Sequence, residues 1–353
     1  MAQLFQDLIY SFGNCLNCFP GSPSLKINSR SFKILRLLGE GGFSYVYLVQ
    51  DTSSGDMFAL KKIRCPFGAE SVQQAMREVE AYKTFAHSPG IIHSVDYSIA
   101  SERNDPGSKT VYVLLPYYKR GNLQDIINAN LVNHTKFPEK KLMVLFLGVC
   151  KAMKDMHHYQ APAGGERMEM GNAKAGEEDQ VAAPGERRSY AHRDIKPGNI
   201  MIDDDGSNPI IMDLGSVAIS PIPITSRSQA IAMQDTAAEH STMPYRAPEL
   251  FEVNTGAIID TKVDIWSLGC TLYACLVGKS PFEMRSDETG GSLSMCVLGG
   301  DWRFPDEGPK AISEPIKEVV RKCLTVEPDH RPDIDELIAM VEEVVEELPD
   351  SAA

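Results

Sequence analysis

The apolar pattern of this chain changes period part-way along, at Pro116–Gly121, where proline and glycine interrupt it. Before that break, Phe32 to Leu38, Tyr45 to Val49, Met57 to Ile63 and Val111 to Leu115 are β-rich runs, and Ser71 to Phe85 alone has helical spacing. After it, Leu142 to His158, Val263 to Leu276, Ala311 to Leu324 and Ile334 to Leu348 all repeat at helical intervals. The pattern predicts an α+β chain of two lobes, the first mainly strands plus one helix and the second mainly helical.

With 353 residues, 43% of them apolar, there is enough material for one large core or two lobes. A net charge of -13 argues against non-specific nucleic-acid binding, which needs a basic face to displace phosphate counterions. Eight cysteines, at 15, 18, 65, 150, 270, 275, 296 and 323, have neither disulfide-framework nor four-ligand zinc spacing. They fit a reducing compartment. The charge-free run Ile265 to Gly278 is 14 residues, the length of a buried helix rather than a membrane span. The N-terminus does not read as a secretory leader, because Asp7 falls inside its apolar part.

In the head, Leu4, Phe5, Leu8, Ile9 and Phe12 recur at helical spacing, which predicts a short amphipathic helix. Residues 161–189 contain no Leu, Ile, Phe, Tyr or Trp. Burial there cannot offset the entropy of ordering, so the segment is expected to be a disordered insertion.

Three groups of residues carry chemistry. Gly39-Glu40-Gly41-Gly42 lies between two predicted strands, where missing side chains let backbone N–H groups approach a polyphosphate; a plain glycine-rich hairpin turn would look similar. Lys61 falls on the next strand, and Glu78, 17 residues further, falls on the predicted helix. A lysine that meets phosphates needs an acidic partner to hold it; Glu78 is the better candidate and Glu80 the competitor. Finally, His192-Arg193-Asp194-Ile195-Lys196-Pro197-Gly198-Asn199 precedes Asp213-Leu214-Gly215. Phosphoryl transfer to a hydroxyl needs a base to orient the nucleophile, a cation near the moving group and oxygen ligands for Mg2+. Asp194, Lys196, and Asn199 with Asp213 supply them, and Gly215 permits an unusual turn after the second carboxylate.

On these motifs the sequence resembles the eukaryotic protein kinases over residues 30 to 345. Tyr245-Arg246-Ala247-Pro248-Glu249, Asp264-Ile265-Trp266-Ser267-Leu268-Gly269 and His330-Arg331-Pro332 extend the match. The resemblance implies a bilobal fold, with an antiparallel N-lobe sheet, and ATP with Mg2+ as cofactors. It further implies a Glu249–Arg331 ion pair and an Asp264 that holds the catalytic-loop backbone. Leu38, Val46, Ala59 and Met201 should enclose adenine, with Leu115 as gatekeeper and Tyr118 at the hinge. Tyr82, His192 and Leu214 should form an apolar column. Lys196, and Thr242 in Ser241-Thr242-Met243-Pro244-Tyr245, are similar to serine/threonine kinases, in which the threonine contacts the base and the lysine.

The glycine loop, the hinge and Asp213-Leu214-Gly215-Ser216 are similar to the Numb-associated kinase family, in particular its branch of myristoylated and palmitoylated kinases with fungal vacuolar relatives. Ser44 and Leu214 depart from the general kinase pattern without removing a ligand. Ala2 stands where myristoylation would require glycine, which leaves Cys15 and Cys18 as palmitoylation candidates. In the long activation segment, Ser228 to Gln234 is helix-like, and Thr225, Ser226, Ser228, Thr236, Ser241 and Tyr245 are hydroxyls whose phosphate an arginine could pair.

The expected organisation is a head at 1–29, an N-lobe at 30–116, a hinge at 116–121, a C-lobe at 122–345 carrying the insertion 161–189, and a tail at 346–353. The expected function is ATP-dependent phosphorylation of protein serine and threonine on the cytoplasmic face of an internal membrane, vacuole or Golgi, or in the cytoplasm. The branch resemblance suggests a trafficking role. The rival is a pseudokinase scaffold, opposed by the completeness of Lys61, Glu78, Asp194, Lys196, Asn199 and Asp213.

Overall fold

A computed structural model describes residues 24–102, 105–161, 185–305 and 311–349. The head helix, Cys15 and Cys18, and most of the expected insertion lie outside these residues. The chain divides into two units, one of residues up to His87 with Ile92–Tyr118, the other of Ser88–Ile91 with Lys119 onward.

The first unit is an antiparallel sheet built from β1 (Ser24–Ile27), β2 (Arg30–Glu40), β3 (Ser44–Asp51), β4 (Met57–Cys65), β5 (Asp96–Glu102) and β6 (Asp105–Pro116), in the order β1-β2-β3-β4-β6-β5. Side chains alternate between its faces. Ile27, Phe32, Tyr47, Val49, Leu60 and Leu114 form one buried cluster. The register pairs Val46 with Lys61, Lys61 with Val113, and Ala59 with Leu115, so these residues share the opposite face. Helix α1 (Ala69–Thr84) buries Ala75, Glu78, Val79 and Tyr82, a stripe at three- and four-residue intervals. Two strands of this unit escape the sequence reading. β1 falls inside the expected head, and β5 lacks a clean alternation of apolar residues.

The second unit is mainly helical: α2 (Leu123–Asn133), α3 (Glu139–His157), α4 (Arg227–His240), α5 (Lys262–Val277), α6 (Pro281–Thr289), α7 (Leu293–Leu298), α8 (Glu314–Cys323) and α9 (Ile334–Glu347). Every residue of α5 from Val263 to Leu276 is buried, which explains why that run has no polar stripe. A Cβ on Gly269 would lie 2.5 Å from Cys323 Cβ, so glycine there permits the close approach of α5 and α8. Trp266 stacks on Phe282 with ring centroids 5.3 Å apart. Helix α8 begins later than the periodicity suggests, because Ser313 precedes it and Pro315 occupies its first turn.

Short strands carry the functional loops: β7 (Tyr159–Gln160), β8 (Arg187–Ala191), β9 (Ile200–Ile202), β10 (Pro209–Ile211), β11 (Ala218–Ser220), β12 (Ile222–Pro223) and β13 (Ile258–Ile259). The insertion 161–189 is shorter than expected. Ala161 is buried, its N–H donates to Glu186 O at 2.9 Å, Gly185 N–H donates back to Ala161 O at 3.0 Å, and Arg187–Ser189 belong to β8, between β7 and β11. At the far end, α9 continues to Glu347, beyond the expected domain limit of 345. Among the described residues no helix is long and apolar enough to cross a membrane, and the six described cysteines are free and buried.

Candidate active site

In the first unit, Lys61 Nζ meets Glu78 Oε1 at 2.7 Å, and Tyr82 donates its hydroxyl to the same oxygen at 2.6 Å. Glu80 instead pairs with Lys83 at 2.8 Å. The choice follows from helix geometry: Glu78 lies on the buried stripe with Ala75 and Tyr82, and Glu80 does not. Gly39 pairs with Val46 across the β2–β3 turn. A Cβ on Gly39 or Gly42 would meet no heavy atom within 4 Å, and neither glycine has left-handed φ; on Gly41 a Cβ would come 3.0 Å from Ser44 Oγ. Nothing in the fold itself therefore requires glycine at 39 and 42. Val46, Ala59 and Leu115 share the face of Lys61, Leu38 sits at a bulge of β2, and Tyr118 follows β6.

In the second unit the catalytic run is held from below by Asp264. This carboxylate, fully buried, accepts the N–H groups of His192 (2.8 Å) and Arg193 (2.7 Å) and a contact from His157 Nε2 at 2.9 Å. Burial pushes its pKa up, but the hydrogen bonds and charge of His157, His192 and the Arg193 backbone outweigh it and hold the carboxyl below its ordinary value. Arg193 adopts φ 68 and Asp213 φ 60, left-handed conformations uncommon for residues with side chains. The unusual turn expected at Gly215 is thus made by Asp213 itself; Gly215 lies in a short 3-10 turn without positive φ.

Around Asp194 the expected residues converge. Its Oδ1 accepts the Thr242 hydroxyl (2.7 Å) and backbone N–H (2.9 Å), and its Oδ2 accepts Lys196 Nζ (2.8 Å) and Asn199 Nδ2 (3.0 Å). Lys196 Nζ also donates to Thr242 Oγ1 at 2.6 Å, so that hydroxyl accepts from the lysine and gives its one proton to Asp194. Asn199 and Asp213 are brought to one end of the β9–β10 hairpin, where Ile200 pairs with Ile211 and Met212 N–H donates to Asn199 O at 2.9 Å. Met201 lies on β9. His192 and Leu214 are buried in this unit and Tyr82 in the first. Arg331 makes the expected pair with Glu249, donating from both terminal nitrogens at 2.7 and 2.9 Å.

Ser216 and Ser267 fall inside motifs quoted from the sequence, but their supporting contacts were not legible there. Ser216 donates its hydroxyl to His192 O at 2.6 Å and receives Arg193 Nε on its carbonyl at 2.8 Å. Ser267 donates to Tyr245 O at 2.8 Å, which ties the Tyr245 turn to α5. The helix-like run at 228–234 is part of the longer α4, capped by Ser226.

The protein kinase domain family matches residues 32–161 and 187–341, nearly the whole of both units. The chain belongs to the protein kinase family. The serine/threonine-protein kinase ppk13 of Schizosaccharomyces pombe is 37% identical to it over 90% of this chain and 91% of its own length. The serine/threonine-protein kinase ENV7 of Saccharomyces cerevisiae is 36% identical over 97% and 98%. Human serine/threonine-protein kinase 16 is 32% identical over 92% and 94%. The chain is a serine/threonine protein kinase, an ATP-binding transferase with a sheet-based N-lobe and a helical C-lobe.

Proposed function

We propose that this kinase transfers the γ-phosphoryl group of ATP to protein serine and threonine with Asp194 as base, and that two acylated cysteines tether it to an internal membrane. One observation carries the catalytic reading: both Asp194 oxygens are committed to donors from Lys196, Asn199 and Thr242. Fixed in that way, the carboxylate is held in one orientation; the Thr242 N–H fills its fourth lone-pair site, so a substrate hydroxyl takes the place of one of these donors when it hands over its proton. Lys196, 2.8 Å away, offsets charge that builds on the transferred group. Lys61, held by Glu78, is the phosphate clamp. Gly39 and Gly42, which the fold does not require as glycine, suit backbone approach to phosphates.

The donor set fits Mg2+, an ion usually held by one or two carboxylates with phosphates and water completing its shell. Asn199 turns its amide nitrogen to Asp194, so its side-chain oxygen is the end suited to a cation, and Asp213 stands beside it on the hairpin. When bound, the metal neutralises phosphate charge. In this reading Leu38, Val46, Ala59, Leu115 and Tyr118 of the first unit are the adenine contacts, and Met201 is assigned to adenine by the sequence resemblance alone.

Acylation at Cys15 and Cys18, membership of the Numb-associated branch, and a vacuolar or Golgi trafficking role rest on the sequence resemblance. Two chains with an apolar helix face suit stable anchoring, whereas one chain binds only marginally. Two experiments test the proposal. Transfer from ATP onto a serine, threonine and tyrosine peptide library should favour the first two and fall on Lys61→Met or Asp213→Asn; transfer unaffected by either change would overturn the site. Hydroxylamine-sensitive acyl labelling should disappear in the double variant Cys15→Ser, Cys18→Ser, and unlabelled wild type would overturn the anchor.

A further inference from the structure

Helix α4 lies inside the activation segment, yet its packing is poor. Only Ala230, Met233 and Ala237 are buried, and a cavity of about 10 Å3, lined by Arg193, Met233, Thr236, Ala237, His240 and Ser241, lies along its inner side. Apolar burial alone therefore fixes it weakly. Two guanidiniums do the rest. Arg193 donates Nε to Ser216 O at 2.8 Å and reaches Met233 Sδ at 3.9 Å. Arg246, 7% exposed, donates Nε to Ser241 Oγ at 2.7 Å and Nη2 to the carbonyls of Ser241 (3.1 Å) and Ala238 (3.5 Å). Ser241 in turn donates its hydroxyl to Ala237 O at 2.6 Å and its N–H to the same oxygen at 3.0 Å.

A cation is thus placed on the last carbonyls of a helix, where the dipole favours it and the terminal groups need donors. The guanidinium also lies 4.9 Å from the Phe251 ring, and Gln234 Nε2 donates to Phe251 O at 2.7 Å, so Phe251 holds both the arginine and the helix. The residue after Ser241 is Thr242, whose N–H and hydroxyl both bind Asp194. Of the activation-segment hydroxyls singled out in the sequence, only that of Ser241 accepts a hydrogen bond from an arginine among the described contacts; Thr225, Ser226, Ser228 and Thr236 bond within α4 or its cap.

We propose that Arg246, acting through Ser241, is a positioning residue for phosphoryl transfer: it locks the C-terminal turn of α4 and thereby sets Thr242 against the base Asp194. Without the lock, the chain at 241 swings with the end of α4, and the N–H and hydroxyl of Thr242 no longer reach Asp194 together. The carboxylate then keeps only Lys196 and Asn199, both on Oδ2, and loses the two donors that fix Oδ1. Binding of ATP does not involve this network, so the loss falls on turnover of the hydroxyl substrate.

The inference rests on the reading of Asp194 as base oriented by Thr242, and a double-mutant cycle separates the two. The full chain is assayed with ATP, Mg2+ and a serine peptide that the wild type phosphorylates. Arg246→Gln is expected to lower kcat by about 10- to 100-fold, the range that a small misplacement of a reacting group produces. KM for ATP should stay within about twofold. Ser241→Ala, which leaves both arginine–carbonyl bonds, should cost less, and Arg246→Lys should recover part of the loss. In a Thr242→Ala background, where only the backbone N–H still reaches Asp194, Arg246→Gln should cost clearly less than in the wild type, because groups acting through one partner are non-additive. If Thr242→Ala retains full activity, the reading of the base fails. If Thr242→Ala is impaired but Arg246→Gln costs as much with it as without it, the inference itself is overturned. Should Arg246→Gln fail to fold, Ser241→Ala decides in the same cycle: an effect equal in both backgrounds, or none, refutes the proposal.

Discussion

Replacing Glu249 with alanine removes the one carboxylate that, among the described residues, pairs with Arg331. That guanidinium is fully buried at its side chain, and Glu249 is 16% exposed. Arg331 also donates to Thr325 O (2.7 Å), Val326 O (2.8 Å) and Lys262 O (3.0 Å), and its guanidinium lies 4.9 Å from the Trp266 ring. These contacts keep it in place after the substitution, so it cannot escape to water. The cost is then that of a buried charge left alone, about 3–5 kcal/mol. For a helical unit of this size each kcal/mol moves Tm by roughly 2–4 °C, which puts the expected drop near 10 °C. Denaturant unfolding followed by tryptophan fluorescence reports the same loss, since both tryptophans, Trp266 and Trp302, lie in the second unit. Glu249→Gln, which preserves shape and an acceptor, should recover part of it. The exposed pair Arg321–Glu314 provides the contrast, and Glu314→Ala should leave Tm unchanged within error. A Tm drop under about 2 °C for Glu249→Ala, with an unchanged denaturant slope, would refute the reasoning.

Other outcomes follow from the same contacts. Asp264 is held below its ordinary pKa in the folded chain, so its stabilisation is complete above the unfolded carboxyl value of about 4 and is lost as pH falls through the folded value. Asp264→Asn should flatten that acid limb of an unfolding titration and lower activity; an unchanged limb would contradict the assignment. Burial pushes the thiols of Cys275 and Cys323 up to about 12, and those of Cys150 and Cys270 well above their usual value. Native protein at pH 8 should therefore leave these four unalkylated by iodoacetamide, while denatured protein reacts fully. Glu78→Gln should reduce kcat/KM for ATP about 10-fold or more, whereas Glu80→Gln should change it little, because only Glu78 holds Lys61.

The catalytic loop was legible because its chemistry is packed into eight consecutive positions, and Asp194, Lys196 and Asn199 meet across them. Thr242 joins from 48 positions away and was recognisable only by its motif. Glu78 and Glu80 could not be separated with certainty from charge; helix phase, visible once Ala75 and Tyr82 were seen to be buried, separates them. His157, Ser216 and Arg246 were unreadable as partners, since each is a common residue whose contact is made by folding rather than spacing. Helix α4 was recognised only in part, because three buried residues make too faint a stripe. β1 and β5 were missed for a related reason: edge regions of a sheet need no regular apolar alternation.

The most direct test of the account is a single-turnover measurement of phosphoryl transfer to a serine peptide by wild type and Asp194→Asn. The asparagine keeps the shape of the side chain but cannot accept the proton. The account predicts a loss of about 10²-fold or more in the transfer step, with ATP affinity unchanged. Transfer by Asp194→Asn at the wild-type rate would contradict it.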